Sequence, residues 1–106
     1  MEYRRLGSSG LKLSALSFGA WVTFGTALGR KQAGELLALA RDHGVNFFDN
    51  AEVYSRGEAE RIMGDALADL NWPRDSFCVS SKVLFGAVSD PQPTQRGLSR
   101  KHVTEA

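Results

Sequence analysis

The sequence has 106 residues, 42% hydrophobic and 24% charged, which fits one folded domain with a modest core and argues against a disordered chain. Its formal net charge of +1, with basic and acidic residues interspersed, leaves no electrostatic footprint for nucleic acid or an anionic membrane. No apolar stretch approaches the ~18 residues that span a bilayer, and Met1 to Arg5 lacks the apolar segment of a secretory signal, so no membrane insertion is expected and the cytoplasm is the default address.

In chain order, Tyr3 to Leu6 and Leu11 to Leu13 alternate around Gly7-Ser8-Ser9-Gly10 and predict a hairpin. Ala15 to Phe18 predicts a short buried strand ending at Gly19, followed by a Gly-rich loop through Gly29. A helix is expected from about Lys31 to His43, with Ala33, Leu36, Leu37 and Ala40 on one face and Gly44 as its left-handed terminator. Val45 to Phe48 is the next strand and stops at Asp49. Ala59, Ile62, Met63, Ala66, Leu67 and Leu70 make the strongest helical stripe, which Asn71-Trp72-Pro73 ends. Phe77 to Val83 predicts a third strand carrying Lys82 near its end and Cys78 within it. The lone cysteine allows neither an internal disulfide nor a cysteine zinc site, so it is expected to be a buried, inert thiol, and no metal site is expected. Residues 86 to 98 read as a loop, and Ser99 as the N-cap of a last helix.

Strands alternating with helices predict α/β architecture with a parallel sheet. Asp49, Tyr54 and Lys82 then fall at or just beyond strand carboxyl ends, as does Trp21, where such folds keep their sites. A free tyrosine, with its pKa of ~10, is a poor acid at neutral pH. A nearby ammonium favours the phenolate, and a carboxylate holds that ammonium charged and in place. The trio therefore suggests reduction of a carbonyl. Asp49 and Lys82 alone would read as an ordinary ion pair; Tyr54 is what changes the reading.

Trp21, flanked by Gly19 and Gly25, reads as a pocket wall over a core aromatic, whereas Trp72 reads as packing. The glycines between Gly19 and Gly29 lack the spacing of a dinucleotide fingerprint, so a flexible substrate loop is preferred to a phosphate cradle. Phe85 and Gly86 border the substrate mouth on one reading, with Phe85 in the core on the other. Arg96, Arg100 and Lys101 read as a solvated helix start, His43 as a last-turn and His102 as a first-turn helical residue.

Gly44-Val45-Asn46-Phe47-Phe48-Asp49-Asn50-Ala51, with Tyr54, Gly64 and Lys82, resembles the signature of the aldo-keto reductase family. The runs Gly19 to Gly25, Ala51 to Tyr54, Lys82 to Gly86 and Arg96 to His102 resemble the branch that contains the beta subunits of voltage-gated potassium channels and their bacterial homologues. The resemblance covers the whole chain and implies the N-terminal portion of a (β/α)8 TIM barrel, closed at its amino end by the hairpin. A complete barrel takes about 200 to 250 residues. Residues 1–106 would supply the hairpin and about three βα units, one N-terminal fragment of a single barrel domain.

The resemblance also implies roles. Tyr54 would protonate the carbonyl oxygen of a small-molecule substrate while NADPH delivers hydride to its carbon, with Lys82 and Asp49 tuning the tyrosine. The Ala20 backbone, Trp21 and Asp49 would lie against the cofactor. Ala20 and Ala27 depart from the threonine and glutamine usual in that branch, so the glutamine contact is lost. The family's fourth catalytic position and its phosphate-binding loops would lie beyond Ala106. A homo-oligomer of a longer chain is compatible with the resemblance. An alternative is an NADPH-binding regulatory beta subunit of a potassium channel or similar assembly, with vestigial chemistry. The 106-residue chain alone, with open sheet edges and uncovered apolar faces, is expected to associate and to be inactive.

Overall fold

Tyr3–Arg5 (β1) and Lys12–Ser14 (β2) pair antiparallel, with Tyr3 opposite Ser14 and Arg5 opposite Lys12. The Ser9 hydroxyl braces the turn by donating to the Leu6 carbonyl at 2.7 Å. Asn46 docks this hairpin onto the rest of the chain. Its Oδ1 accepts from the Ser14 amide at 2.7 Å, its own amide donates to Ser14 Oγ at 3.1 Å, and its Nδ2 donates to the Lys12 carbonyl at 3.1 Å. The Tyr3 hydroxyl donates to the Gly44 carbonyl at 2.7 Å. Gly44 has φ of +89°, and a Cβ there would meet Met1 Cβ at 2.8 Å, so conformation and space both require glycine.

The structure, a computed structural model, describes residues 1–106. Arg30–Asp42 (α1) turns Ala33 and Leu37 inward, and Glu58–Leu70 (α2) turns in Ala59, Ile62, Met63 and Ala66, the three- and four-residue spacing of an amphipathic helix. Asn71, in left-handed conformation at φ of 49°, ends α2. Both helices share one apolar cluster with Phe24, Val45, Phe48 and Phe77. Arg30 also reaches from α1 to Asp65 and Asp69 on α2, but all three side chains are at least half exposed, where such pairs contribute about 1 kcal/mol or less. The apolar cluster therefore joins the helices.

Phe18–Gly19 (β3), Phe47–Asp49 (β4) and Cys78–Ser80 (β5) form a parallel sheet in the order β3-β4-β5. With α1 between β3 and β4 and α2 between β4 and β5, the architecture is the mixed α/β one expected. Phe48 and Val79 are in register, as are Asp49 and Ser80. Phe48 is fully buried under the helices and packs against Trp72 and Phe77 at 5.9 and 6.2 Å between ring centroids. Alternation along the strand sends Asp49 to the other face. The hairpin sits at the amino end of this sheet and Asp49 at the carboxyl end. Arg100–Glu105 (α3) closes the chain, with Ser99 Oγ accepting from the His102 amide as its N-cap.

Four expectations need correction. The strand predicted over Ala15 to Phe18 is confined to Phe18–Gly19: Ser14 Oγ bonds the Leu16 carbonyl at 2.7 Å, and the chain turns outward with Leu16 68% exposed. The strand predicted over Phe77 to Val83 is confined to Cys78–Ser80, the residues paired with β4, which ends at Asp49; beyond them only single amide bonds from the Asn50 and Glu52 backbone follow the chain. Cys78 is half-buried, not buried. The Gly-rich loop is also pinned rather than loose, since Phe24 within it is fully buried. No helix is long and apolar enough to cross a membrane.

Phe48 contacts both the aromatic group and the helices, so Phe48→Ala should lower the unfolding free energy by about 3 to 5 kcal/mol. Urea unfolding followed by far-UV circular dichroism measures this. A loss under about 1 kcal/mol would contradict the placement of Phe48 at the centre of the core.

Candidate active site

Three side chains converge where β4 and β5 end. Lys82 Nζ lies 2.9 and 2.8 Å from the two Asp49 carboxylate oxygens, 2.6 Å from the Asn50 carbonyl and 3.1 Å from the Tyr54 hydroxyl. The register explains the meeting. Ser80 lies opposite Asp49 and donates its hydroxyl to Asp49 Oδ1 at 2.5 Å, and Lys82, two residues on, projects from the same side. The ladder continues past the strands, with the Asn50 amide donating to the Ser80 carbonyl at 2.9 Å and the Glu52 amide to the Lys82 carbonyl at 3.1 Å.

Tyr54 begins a turn, Tyr54–Gly57, in which Ser55 and Arg56 both have positive φ, 48° and 56°. Left-handed conformation at non-glycine residues carries strain and is held by its surroundings. Here Ser55 Oγ donates to the Phe24 carbonyl at 2.9 Å and lies 3.0 Å from Thr26 Oγ1. Those bonds tie the Tyr54 turn to the loop that carries Trp21. The Trp21 indole stacks on the Tyr54 ring, with centroids 6.0 Å apart and planes 21° apart, and remains 68% exposed. Ala20 is fully buried, and its amide donates to the Asp49 carbonyl at 3.0 Å.

Burial opposes ionisation of Asp49, but hydrogen bonds from Lys82 and Ser80 and the charge of Lys82 outweigh it and hold the carboxyl below its ordinary range. Loss of water likewise opposes the charge on Lys82; its hydrogen bonds to Asp49 and Tyr54 overcome that and raise its pKa. The pair is open enough, at 53% and 31% side-chain exposure, that its value to stability is small. Geometry is its main consequence.

A cavity of about 230 Å³ opens over Tyr54 and Lys82, walled by Val53, Leu84 and Phe85. Phe85 is 65% exposed, which places it at the mouth and not in the core. A larger hollow of about 420 Å³, between α2 and α3, includes neither Tyr54 nor Lys82 in its lining and is bordered by charged residues such as Glu60, Arg61 and Lys101. Apolar walls around a few convergent polar groups favour the smaller cavity as the site. Trp21, stacked on the Tyr54 ring yet largely exposed, offers a flat ring an open apolar face close to the phenol.

Sequence reasoning missed Glu52. Its carboxylate is buried and its Oε1 accepts from the Leu84 amide at 2.6 Å and the Gly86 amide at 2.8 Å. His102 lies in the first turn of a helix, as expected, and is buried against Glu52, with Nε2 3.2 Å from Oε1 and 3.1 Å from Oε2. Only the Oε1 contact has hydrogen-bond geometry, and Oε2 is left without a partner. The available signal was a carboxylate among the apolar neighbours Ala51 and Val53, two residues before Tyr54.

The chain belongs to the aldo/keto reductase family, whose family model matches residues 15–106. It is 56% identical over 105 residues to a protein of Arabidopsis thaliana described as a probable voltage-gated potassium channel subunit beta, and 55% identical over 105 residues to one of Oryza sativa subsp. japonica with the same description. Each alignment covers 99% of this chain and 31% of the relative, so the chain spans about a third of the length of these proteins.

Burial opposes ionisation of Glu52 too, but the Gly86 and Leu84 amides and then His102 outweigh it and lower its pKa. A carboxyl with a lowered folded pKa stabilises the fold fully above its unfolded value, here 4.5, and that contribution is lost as pH falls through the folded value. Glu52→Gln should therefore flatten the fall of the urea midpoint between about pH 5 and pH 2. An unchanged acid dependence in the variant would show that Glu52 does not titrate as a buried, bonded carboxylate.

Proposed function

We propose that residues 1–106 form the N-terminal part of a single (β/α)8 barrel whose longer chain reduces aldehydes or ketones to alcohols with NADPH. The single observation that carries this reading is the position of Lys82 Nζ, 3.1 Å from the Tyr54 hydroxyl while bonded to both oxygens of Asp49.

An ammonium has only donors, so the Tyr54 oxygen accepts from Lys82 and the phenol proton is left to point elsewhere. It can be given to a carbonyl oxygen seated in the cavity that Tyr54 and Lys82 share with Val53, Leu84 and Phe85. As that proton leaves, negative charge grows on the phenol oxygen beside a fixed positive charge, and Asp49 keeps the ammonium there. When bound, NADPH supplies the hydride that reduces the carbonyl carbon. Trp21 and Asp49 are the residues of this chain that would border its nicotinamide, with the Ala20 backbone anchoring Trp21 to Asp49. Hydride to carbon and proton to oxygen together balance the conversion of carbonyl to alcohol.

Identity above half to proteins described as potassium channel beta subunits supports a second reading. In it the longer chain binds NADPH and regulates a channel or similar assembly, and turnover is slow. A homo-oligomer is compatible with both readings. The exposed apolar side chains Leu16, Trp21, Val22, Phe85 and Leu98 support the expectation that residues 1–106 alone associate and lack activity.

In a chain extended to the length of the relatives, Tyr54→Phe should cut NADPH oxidation with an aromatic aldehyde by roughly 10² to 10⁴-fold and leave NADPH binding intact. Steady-state absorbance at the NADPH band and a fluorescence titration measure the two. Full turnover in the variant would remove Tyr54 as the acid. Negligible turnover in the unaltered protein, together with co-purification of a membrane channel, would favour the regulatory reading.

A further inference from the structure

We propose that Glu52 is a positioning residue that holds Lys82 against Tyr54 by clamping the chain from Lys82 to Gly86. Glu52 meets that segment at three points. Its amide donates to the Lys82 carbonyl at 3.1 Å, and its Oε1 accepts from the Leu84 amide at 2.6 Å and the Gly86 amide at 2.8 Å. The bonded amides are alternate residues, so they fix the backbone on both sides of Phe85, the aromatic at the cavity mouth. A lysine side chain is long and flexible, and its head stays in place only if its Cα is fixed at a set distance from Asp49 and Tyr54.

β5 has ended at Ser80, and the ladder that runs on past it stops at the Lys82 carbonyl, so no ladder bond from the Asp49 strand reaches Leu84 to Gly86. Glu52 takes over that role. Gly86 shows how closely the path is defined: its φ is +84°, and a Cβ there would lie 2.4 Å from the Gln95 carbonyl oxygen. Gln95 in turn belongs to the loop leading to α3, where His102 closes on the same carboxylate.

An ordinary core role for Glu52 would be stabilisation alone. Two facts point further. A carboxylate with 4% side-chain exposure and an orphaned Oε2 is an expensive way to fill space, and its hydrogen bonds converge on one oxygen aimed at the segment beside the site. Glu52 also stands two residues before Tyr54, so one short stretch of chain carries the phenol and grips the lysine. What matters on this account is the reach of the side chain to two amides, and not its charge.

The test uses Glu52→Asp, which keeps the charge but withdraws it by one methylene, and Glu52→Gln, which keeps the reach without the charge, in a chain extended to the length of the relatives. Crystal structures of both should show Lys82 Nζ beyond the ~3.5 Å hydrogen-bond limit from the Tyr54 oxygen in Glu52→Asp and within it in Glu52→Gln. The kinetic arm rests on the reductase reading: kcat should fall on the order of tenfold to a hundredfold in Glu52→Asp, with KM for NADPH unchanged, and Glu52→Gln should keep most of its activity. A retained Lys82–Tyr54 contact in Glu52→Asp, its loss in Glu52→Gln, or a fall in melting temperature alone with kcat unchanged would each overturn the proposal. An unaltered protein without turnover would sink the reductase reading, while the crystal structures would still decide the role of Glu52.

Discussion

The Lys82 ammonium has three N–H donors and four acceptors within reach: both Asp49 oxygens, the Asn50 carbonyl and the Tyr54 hydroxyl. Everything local to the site depends on that shared donor set. It exists because β4 and β5 are parallel with Asp49 opposite Ser80, which puts Asp49, Ser80 and Lys82 on one side of the sheet and Phe48 on the other. A register slip of one residue would move Ser80 and Lys82 across to the helix side, which is already filled. Packing of the aromatic cluster thus protects the chemistry on the opposite face.

The helices were the most legible part of the fold. The stripe from Ala59 to Leu70 and the Asn71 stop gave α2 within one residue of its start, because an apolar face and a left-handed terminator are both local signals. The strands were less legible. Phe77 to Val83 and Ala15 to Phe18 have suitable composition, but a strand lasts only as long as its neighbour offers a ladder, and β4 has three residues. Which residues pair is a property of two segments, and neither contains it.

At the site, Asp49, Tyr54 and Lys82 could be singled out because their residue types and their positions after successive strands point to one chemistry. The geometry then brings Asp49 and Tyr54 within hydrogen-bond distance of the Lys82 nitrogen. The Trp21–Tyr54 stack follows from the same logic, with the Ser55 bonds to Phe24 and Thr26 as its unseen support. Glu52 was invisible for a physical reason. Its partners are backbone amides 32 and 34 residues away and an imidazole 50 residues away, and backbone amides have no sequence signature.

The central claim is that Tyr54 and Lys82 act as one unit, and a double-mutant cycle on NADPH-dependent aldehyde reduction tests it most directly. Tyr54→Phe and Lys82→Met, singly and combined, are compared by kcat/KM in the longer chain. If the lysine acts through the tyrosine, the double variant should be no slower than the slower single variant. Losses that simply multiply would show two independent contributions and contradict the account.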